Sequence, residues 1–378
     1  MKRAVIYKTI FLLTVVLFFS CRPEKQYLLY VGTYTDQGSE GIYCYQYNPG
    51  SGDLVLKHVT PNKENPSFLA IHPGGHYLYA VSEVSGPGTT DSGSVTAYRI
   101  LKDGKLEKIN KESTGGNHPC HIEISPDGMT AVASNYTSGS ISIFEVRDDG
   151  SLSGLKQLIQ HTGSGPDSTR QKEPHAHSAL FTSDGKLLVT ADLGTDKVNF
   201  YAFSPDSLSW QPASMEAVSM TPGFGPRHFD FSPDGQFIYV MNEMGSAVSV
   251  LQMRNQQCEM TETVSSLPPG YSAASYGADI HLGADGRFVY CSNRGLNSIA
   301  VFSRDTASGR ISLIGNEPVQ GDWPRNFAID PTGSYLLVAN QRSNNITLFS
   351  IDKKTGLLHY SNQNRNIPNP VCLKFLVR

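Results

Sequence analysis

Four ionisable side chains interrupt a sequence repeat at matching positions: His177, Arg227, Glu243 and Arg294. Arginines hold a carboxylate or phosphate through paired, charge-assisted hydrogen bonds, and they can stabilise the oxyanion that grows on an ester carbonyl. A histidine or glutamate beside them can take a proton from water. These residue types are therefore suited to opening or closing the ring of an anionic lactone.

The residue types leave the general base open between His177 and Glu243. Nearby arginines lower the pKa of a glutamate, which weakens it as a base at neutral pH. His177 would then be the better base, with Glu243 orienting it. The sequence does not decide between these two assignments.

The positions of these residues are defined by a line of sequence that occurs six times. Residues 68–83 read FLAIHPGGHYLYAVSE, residues 227–243 read RHFDFSPDGQFIYVMNE, and similar lines start near His121, His177, Asp279 and Arg325. The turn glycines, at 75, 128, 185, 235, 286 and 333, are 47 to 57 residues apart. Each interval contains four strand-like runs, in the second unit 120–125, 130–134, 140–146 and 152–158. Four strands in about 50 residues are typical of a β-propeller blade.

Two fragments remain outside the six units. Residues 27–47 match the second and third strands of a blade, and residues 370–375 match a first strand. Together they would complete a seventh blade and remove the free sheet edges of an open array. We therefore predict an all-β chain whose residues 27–378 form one seven-bladed β-propeller, with the closing blade shared by the two ends. The polar segment 162–173 is expected to be an exposed loop.

In a blade the first two strands are antiparallel, so the start of the first and the end of the second share one rim. Eight residues after the turn glycines, at the end of the second strand, stand Glu83, Tyr136, Leu193, Glu243, Arg294 and Gln341. At the start of the first strand stand Ser67, Cys120, His177, Arg227, Ala278 and Arg325. Both sets should face one mouth of the central channel.

Six further residues near this mouth are candidates for substrate binding: His175, His228, His281, Arg325, Asn242 and Asn293. The asparagines are most simply strand-end residues that hydrogen-bond their own backbone. Burying an unpaired arginine is costly, so the mouth arginines either pair with carboxylates such as Glu243 and Asp279 or line a wet cavity. We favour a ligand-binding mouth.

Composition and motifs narrow the class of function. A net charge of -3 with 17% charged residues gives no indication of nucleic-acid binding. The sequence has no nucleophile elbow, P-loop or HExxH motif. His175 and His177 could share a face of a strand, but no third spaced ligand accompanies them, so we predict neither a metal nor another cofactor. Cys44, Cys120, Cys291 and Cys372 lie in apolar strand patterns and are expected to be buried free thiols.

The first 20 residues are predicted to be a signal peptide rather than part of the fold. Basic residues at 2 and 3 precede an apolar run, 9–19, that is too short to span a bilayer comfortably. Ser20-Cys21 resembles a bacterial lipobox, in which Cys21 would carry the lipid anchor. A monomer in the cell envelope, attached to the membrane only through this anchor, is the expectation. A cleaved or uncleaved membrane signal is the alternative, and the protein would be cytoplasmic if there is no export signal.

The matched residues resemble the lactonase family of seven-bladed propellers. The resemblance rests on Pro226-Arg227-His228, the sixteen-residue step to Glu243, the strand end Ser292-Asn293-Arg294 and the strand start His177-Ser178. This family contains propeller-type 6-phosphogluconolactonases and a carboxy-cis,cis-muconate cyclase. The resemblance implies a catalytic set of His177, Arg227, Glu243 and Arg294 without a metal. It also implies hydrolysis of 6-phospho-D-glucono-1,5-lactone to 6-phosphogluconate, a step of the pentose phosphate pathway.

The predicted export signal conflicts with that substrate, which is made in the cytoplasm. Either the substrate is another sugar lactone or the protein is not exported. Two other functions stay open. One is a non-catalytic surface propeller that binds glycan or protein, which exposed aromatic residues at the mouth would favour; Tyr136 is the only one at the compared rim positions. The other is a cyclase that acts on a dicarboxylate diene with the same arginines.

Overall fold

Alternating apolar residues separated by turn signals produce 29 strands in the residues that the computed structural model describes, 25–85 and 93–378. The predicted signal peptide and Cys21 lie outside the described residues. Within those two ranges, no helix has the length and apolar character needed to cross a membrane.

The strands form seven antiparallel sheets, which we call blades. The chain begins with β1 (Tyr27–Thr33), β2 (Gly41–Tyr47) and β3 (Leu54–Pro61). Blade 1 contains β4 (Leu69–Ile71), β5 (Tyr77–Ser82), β6 (Ser94–Ile100) and β7 (Leu106–Ser113). Blade 2 contains β8 (Pro119–Ile124), β9 (Thr130–Asn135), β10 (Ser140–Glu145) and β11 (Gln157–Gln160). Blade 3 contains β12 (Ala176–Phe181), β13 (Leu187–Asp192), β14 (Lys197–Ser204), β15 (Ser209–Pro212) and β16 (Val218–Ser219).

The remaining blades repeat the four-strand plan. Blade 4 contains β17 (Pro226–Phe231), β18 (Phe237–Asn242), β19 (Ala247–Arg254) and β20 (Gln257–Ser265). Blade 5 contains β21 (Tyr276–Leu282), β22 (Phe288–Arg294), β23 (Ser298–Arg304) and β24 (Ile311–Pro318). Blade 6 contains β25 (Pro324–Ile329), β26 (Tyr335–Asn340), β27 (Asn345–Ile351) and β28 (Leu358–Asn366), and β29 (Pro370–Val377) ends the chain.

The closing blade joins both ends of the chain. Its strand order is β29-β1-β2-β3, and β29 pairs with β1 from Tyr27↔Val377 to Thr33↔Pro370. The first strands of neighbouring blades contact each other around a complete ring, β4, β8, β12, β17, β21, β25 and β29. The predicted seven-bladed propeller with a shared closing blade is therefore confirmed. Closure leaves no blade with an unpartnered inner edge.

Contacts between blades explain the Tyr and Gly that recur in the repeat. The hydroxyl of Tyr79 donates a hydrogen bond to the Gly150 carbonyl at 3.0 Å, and Tyr239 donates to Gly309 at 2.7 Å. Each tyrosine thus fastens the second strand of one blade to the outer hairpin of the next. The turn glycines have left-handed backbones, such as Gly235 at φ 68°, a conformation that strains any other residue.

Blade 2 differs from the prediction in its fourth strand. The strand was expected at 152–158, but pairing with β10 runs over Gln157–Gln160. Leu152 instead makes an isolated bridge with Val146 and is fully buried. Ser153 then bonds back to Glu145 through both its backbone and its hydroxyl, which delays the return of the chain to the sheet.

Candidate active site

A cavity of about 680 Å³ opens at one mouth of the central channel. It is lined by Tyr34, Asp36, Asn65, Glu83, His118, Cys120, Tyr136, Arg170, His177, Glu243, Tyr276, Arg294, Trp323, Arg325, Gln341 and Arg342. Strand pairing brings the start of each first strand to the end of the second, as in Pro226↔Asn242 and Tyr276↔Arg294. Of the twelve residues at these two positions, eight line the cavity, so their predicted convergence at one mouth is confirmed; the other four, Ser67, Leu193, Arg227 and Ala278, do not line it.

A β-bulge at the start of the innermost strand positions the first of these two sets. In four blades the pairing skips one residue: Cys120, His177, Arg227 or Arg325. A bulge releases its extra residue from the ladder and re-aims the side chain. The same local irregularity therefore directs a thiol, an imidazole and two guanidinium groups to the axis of the propeller.

Glu243 is the centre of the charged part of the site. Its Oε1 accepts a hydrogen bond from Nη2 of Arg170 at 2.7 Å. Its Oε2 lies 3.1 Å from Nε of Arg227 and 2.8 Å from Nη2 of Arg294. Both carboxylate oxygens are thus occupied by guanidinium groups, and only 5% of the residue is exposed. Arg227 and Arg294 come from blades 4 and 5, so tertiary packing assembles this cluster.

The charges of the cluster are mutually stabilised. Burial alone would raise the pKa of the Glu243 carboxyl, but Arg294, Arg227 and Arg170 together hold this pKa well below its ordinary value. Burial, with repulsion from Arg294 and Arg325, lowers the pKa of Arg227 to about 10, which still leaves it charged at neutral pH. A carboxylate that resists protonation, accepts two arginine hydrogen bonds and pairs with a third arginine is poorly suited to act as a general base.

His177 presents an uncharged imidazole to the cavity. Burial, reinforced by the charges of Arg227 and Arg325 and by His228, holds its pKa well below the ordinary value of 6.5. Its Nδ1 lies 3.7 Å from Sγ of Cys120. Burial raises the pKa of the Cys120 thiol, so the sulfur remains protonated rather than becoming a nucleophile. Both candidate bases are unprotonated at neutral pH and both line the cavity, but the carboxylate oxygens of Glu243 are occupied by arginines. In residues 25–85 and 93–378 no guanidinium bonds to the ring of His177, so His177 is the base whose ring is open to a water molecule in the cavity.

A hydrogen-bonded chain orients Arg325 on the opposite wall. Nη2 of Arg325 donates to the hydroxyl of Tyr34 at 2.8 Å, and its guanidinium carbon lies 5.3 Å from the centre of the Tyr34 ring. That hydroxyl donates in turn to both carboxylate oxygens of Glu83, each at 2.9 Å. Arg325 is therefore a fixed cation beside the bulged residues, with a phenol between it and the nearest carboxylate.

The three histidines predicted to bind substrate do not line the cavity: His175, His228 and His281. Nδ1 of His228 lies 2.7 Å from one oxygen of Asp279, and Nε2 of His281 lies 3.1 Å from the other. These groups form a polar column deeper in the channel. His175 stacks on Tyr136 with ring centres 4.5 Å apart and donates from Nδ1 to the Tyr136 carbonyl. Its position supports Tyr136 rather than reaching into the cavity.

The two predicted asparagines stabilise the blades. Asn242 and Asn293 are fully buried. Nδ2 of Asn242 donates to the Ala247 carbonyl at 3.0 Å, and Nδ2 of Asn293 donates to the Ser266 carbonyl at 3.0 Å. Both asparagines therefore have the strand-end role. Of the six residues predicted to bind substrate, only Arg325 lines the cavity. Arg227 lies below Glu243 and donates from Nη1 to the Ala278 carbonyl at 2.6 Å.

Arg170 is the functional candidate that the sequence did not indicate. Segment 162–173 is largely exposed as predicted, but Gln171 is fully buried and donates to the Leu193 carbonyl at 2.8 Å. Asp167 accepts hydrogen bonds from the backbone nitrogens of Thr169 and Arg170, which closes a tight turn. Arg170 is thereby turned into the mouth, although it lies outside the repeat that identified the other residues.

Replacing Arg170 with glutamine should lower the free energy of unfolding by no more than about 1 kcal/mol, because its ion pair is partly solvent-screened. The side chain is 37% exposed, and Arg227 and Arg294 still pair with Glu243 in its absence. Urea denaturation measures the change. The control is Arg310→Gln, which breaks an exposed pair with Glu262. A loss much larger than that of the control would show that Arg170 is an integral part of the buried cluster.

Metal ligation finds no support in the geometry. Across residues 25–85 and 93–378, no group of three or more His, Cys, Asp or Glu side chains is arranged to hold a metal ion. Cys44, Cys120, Cys291 and Cys372 are buried free thiols, as expected.

Comparisons with known proteins agree with this architecture. The family model "Lactonase, 7-bladed beta-propeller" matches residues 28–375. A 6-phosphogluconolactonase of Bacillus subtilis is 36% identical over 93% of this chain and 99% of its own length. One from Formosa agariphila is 38% identical over 87% of this chain and 94% of its own length.

A solved structure extends the comparison to three dimensions. The periplasmic gluconolactonase of Pseudomonas aeruginosa is 34% identical, covers 93% of this chain and 99% of its own, and superposes with a TM-score of 0.86. The two proteins thus share their fold over nearly all of this chain. The chain belongs to the lactonase family of seven-bladed β-propellers.

Proposed function

We propose that this protein hydrolyses a sugar lactone at the mouth of the channel, with 6-phospho-D-glucono-1,5-lactone as the substrate and 6-phosphogluconate as the product. The observation that carries the proposal is the Glu243 cluster of three arginines in the same cavity as the uncharged His177. The names of the relatives from Bacillus subtilis and Formosa agariphila support the reaction class.

The geometry supports a division of labour among the four predicted catalytic residues. A water molecule attacks the lactone carbonyl while His177 accepts its proton. Arg294, which lines the cavity, stabilises the oxyanion. Glu243 pairs with Arg294 and with Arg227, and so holds the Arg294 side chain in place from below. The tetrahedral intermediate then breaks its bond to the ring oxygen, which takes the proton from His177 and leaves as a hydroxyl. The carboxylic acid that forms releases its proton to solvent, and the resulting carboxylate faces the arginines that bound the carbonyl.

A second candidate function, glycan binding without catalysis, is favoured by one observation. Tyr276 and Trp323 line the cavity, with ring centres 6.2 Å apart, and aromatic faces suit sugar rings. Calorimetric titration with neutral oligosaccharides distinguishes the functions. Saturable binding without lactone hydrolysis would favour glycan binding. The charged floor of the same cavity favours the hydrolase. A ring-closing cyclase would use the same arginines on a dicarboxylate.

We further propose that the protein works in the cell envelope, with Cys21 as the lipid anchor. The lipobox-like sequence supports this location, as does the similarity to the periplasmic gluconolactonase of Pseudomonas aeruginosa. If the protein is exported, its physiological substrate would be another sugar lactone, because the phosphorylated one is made in the cytoplasm; if it is not exported, 6-phospho-D-glucono-1,5-lactone remains the proposed substrate. Labelling with radioactive palmitate, and loss of the label in Cys21→Ala, tests the anchor.

Replacing Arg294 with alanine should lower kcat for lactone hydrolysis by about 10²–10³-fold, the usual cost of one oxyanion donor. The measurement is product formation from phosphorylated and plain gluconolactone, each corrected for spontaneous hydrolysis. Arg310→Gln, an exposed arginine in the same blade, serves as the control. If wild type and Arg294→Ala both match the spontaneous rate on every lactone, the hydrolase proposal is lost.

A further inference from the structure

Arg342 is a cation at the rim of the cavity without a carboxylate partner in residues 25–85 and 93–378. It is exposed and lines the same cavity as His177 and Arg294. Its guanidinium carbon lies only 3.4 Å from the centre of the Trp323 ring. Stacking on an aromatic face holds a guanidinium in one plane while its hydrogen-bond donors remain free at the edge. An oriented, unpaired guanidinium of this kind is prepared to bind an anion.

Trp323, on which Arg342 stacks, has a strained backbone. Trp323 has a left-handed backbone, φ 65°, which is unusual for a bulky residue, and Gln320 in the same loop has φ 56°. The backbone nitrogen of Trp323 donates to Oδ1 of Asn297 at 3.0 Å, and its carbonyl accepts from the backbone nitrogen of Gln341 at 3.0 Å. Strained backbone that is fixed by its neighbours is concentrated at functional sites.

The same indole connects Arg342 to the proposed catalytic arginine. The guanidinium carbon of Arg294 lies 5.4 Å from the centre of the Trp323 ring. The guanidinium carbons of Arg294 and Arg342 are therefore separated by less than the sum of their two distances to this ring. A six-carbon sugar acid with an anionic group at its far end spans such a distance. Arg325, the other cation without a direct carboxylate contact, lies deeper and is bonded to Tyr34.

We propose that Arg342, braced by Trp323, binds an anionic substituent, phosphate or carboxylate, at the end of the lactone that is remote from the reacting carbonyl. Arg342 is then the residue that makes the enzyme prefer anionic sugar lactones to neutral ones. This inference rests on the proposed lactone hydrolysis. It adds the class of substrate and the residue that selects it.

Kinetics of Arg342→Gln with three lactones test the selection. The substrates are 6-phosphoglucono-1,5-lactone, a glucaric acid lactone with a free carboxylate, and neutral glucono-1,5-lactone. For the anionic lactones KM should rise about tenfold to a hundredfold, the usual worth of a hydrogen bond to a charged group. For the neutral lactone kcat/KM should change less than twofold. Arg365→Gln, an exposed arginine on the outer strand β28, is the matched control.

The pattern of losses decides between the sources of the anion. If Arg342→Gln weakens kinetics with the phosphorylated lactone alone, Arg342 recognises phosphate. If it weakens kinetics with both anionic lactones, Arg342 recognises the negative charge that they share. Equal losses with all three lactones, or no loss with either anionic one, would overturn the assignment of Arg342. Absence of hydrolysis of every lactone by the wild type would instead contradict the proposed function.

Tryptophan fluorescence tests anion binding without relying on turnover. The chain has two tryptophans, and Trp210 packs against Phe181 in blade 3, away from the mouth. In Trp210→Phe the emission therefore comes from Trp323. Added 6-phosphogluconate should change this emission saturably, glucose should not, and adding Arg342→Gln should raise the dissociation constant at least tenfold. Equal affinity with and without Arg342 would refute the proposal even if all variants are inactive on lactones.

Discussion

Replacing His177 with glutamine should lower kcat for lactone hydrolysis by about 10²–10⁴-fold, because general-base assistance in the transition state contributes an effect of this size. Glutamine retains a polar side chain of similar reach but cannot accept the proton of the attacking water. Substrate binding should change little, since the arginines of the mouth remain. The loss should therefore appear in kcat rather than in KM. Steady-state kinetics of the purified variant measure both quantities.

The pH profile gives this prediction its specific signature. Burial and the neighbouring charges of Arg227 and Arg325 hold the pKa of His177 well below 6.5. The imidazole therefore stays uncharged as the pH falls through 6.5, and kcat/KM of the wild type should keep its value there. His359→Gln, at an exposed histidine on the outer strand β28, should behave as the wild type. Full activity in His177→Gln would exclude His177 as the base.

Replacing Glu243 with glutamine should lower the free energy of unfolding by about 3–5 kcal/mol, the usual cost of removing one partner from a buried ion pair. The carboxylate is the shared partner of Arg170, Arg227 and Arg294. Without it, the last two guanidinium groups are buried beside each other with no compensating charge. Activity should fall as well, because Arg294 loses the group that fixes its direction towards the cavity.

Urea denaturation as a function of pH distinguishes this structural role from a general loss of packing. In the folded protein the pKa of Glu243 is lowered from 4.5, so its contribution to stability is complete above this unfolded-state value. The contribution is lost as the pH falls towards the folded-state pKa. The stability difference between wild type and Glu243→Gln should therefore shrink at acid pH. Glu259→Gln, exposed on β20, is the control.

These two variants also separate the alternatives for the general base. If Glu243 were the base and His177 only its neighbour, Glu243→Gln would lose kcat with little change in stability. Two guanidinium hydrogen bonds and a third ion pair to Glu243 lead to the opposite expectation, a protein that is both less stable and less active. This outcome would support our proposal that Glu243 organises the arginines and that His177 transfers the proton.

The rim shows why some substrate-binding predictions failed to reach the cavity. Residues were compared by their sequence distance from a turn glycine, which locates a strand end but not the direction of a side chain. Asn242 and Asn293 occupy the predicted strand ends, yet both point into the sheet and bond to backbone carbonyls. His228 on β17 and His281 on β21 both contact Asp279 deeper in the channel instead of lining the cavity. Depth along the axis depends on how neighbouring blades pack.

The sequence by itself determined the repeat, the seven blades and the closing blade, and it indicated His177, Arg227, Glu243 and Arg294 as candidate site residues. These conclusions depend on local signals, namely turn glycines, strand patterns and breaks in the repeat, which are written in consecutive residues. Only the tertiary structure decided that Arg170 reaches Glu243 from a polar loop and that Trp323 braces Arg342. The first contact joins a loop to another blade, and the second joins the segment before β25 to the turn after β26. Bulges, loop conformations and blade packing determine such contacts, and no local pattern encodes those distances.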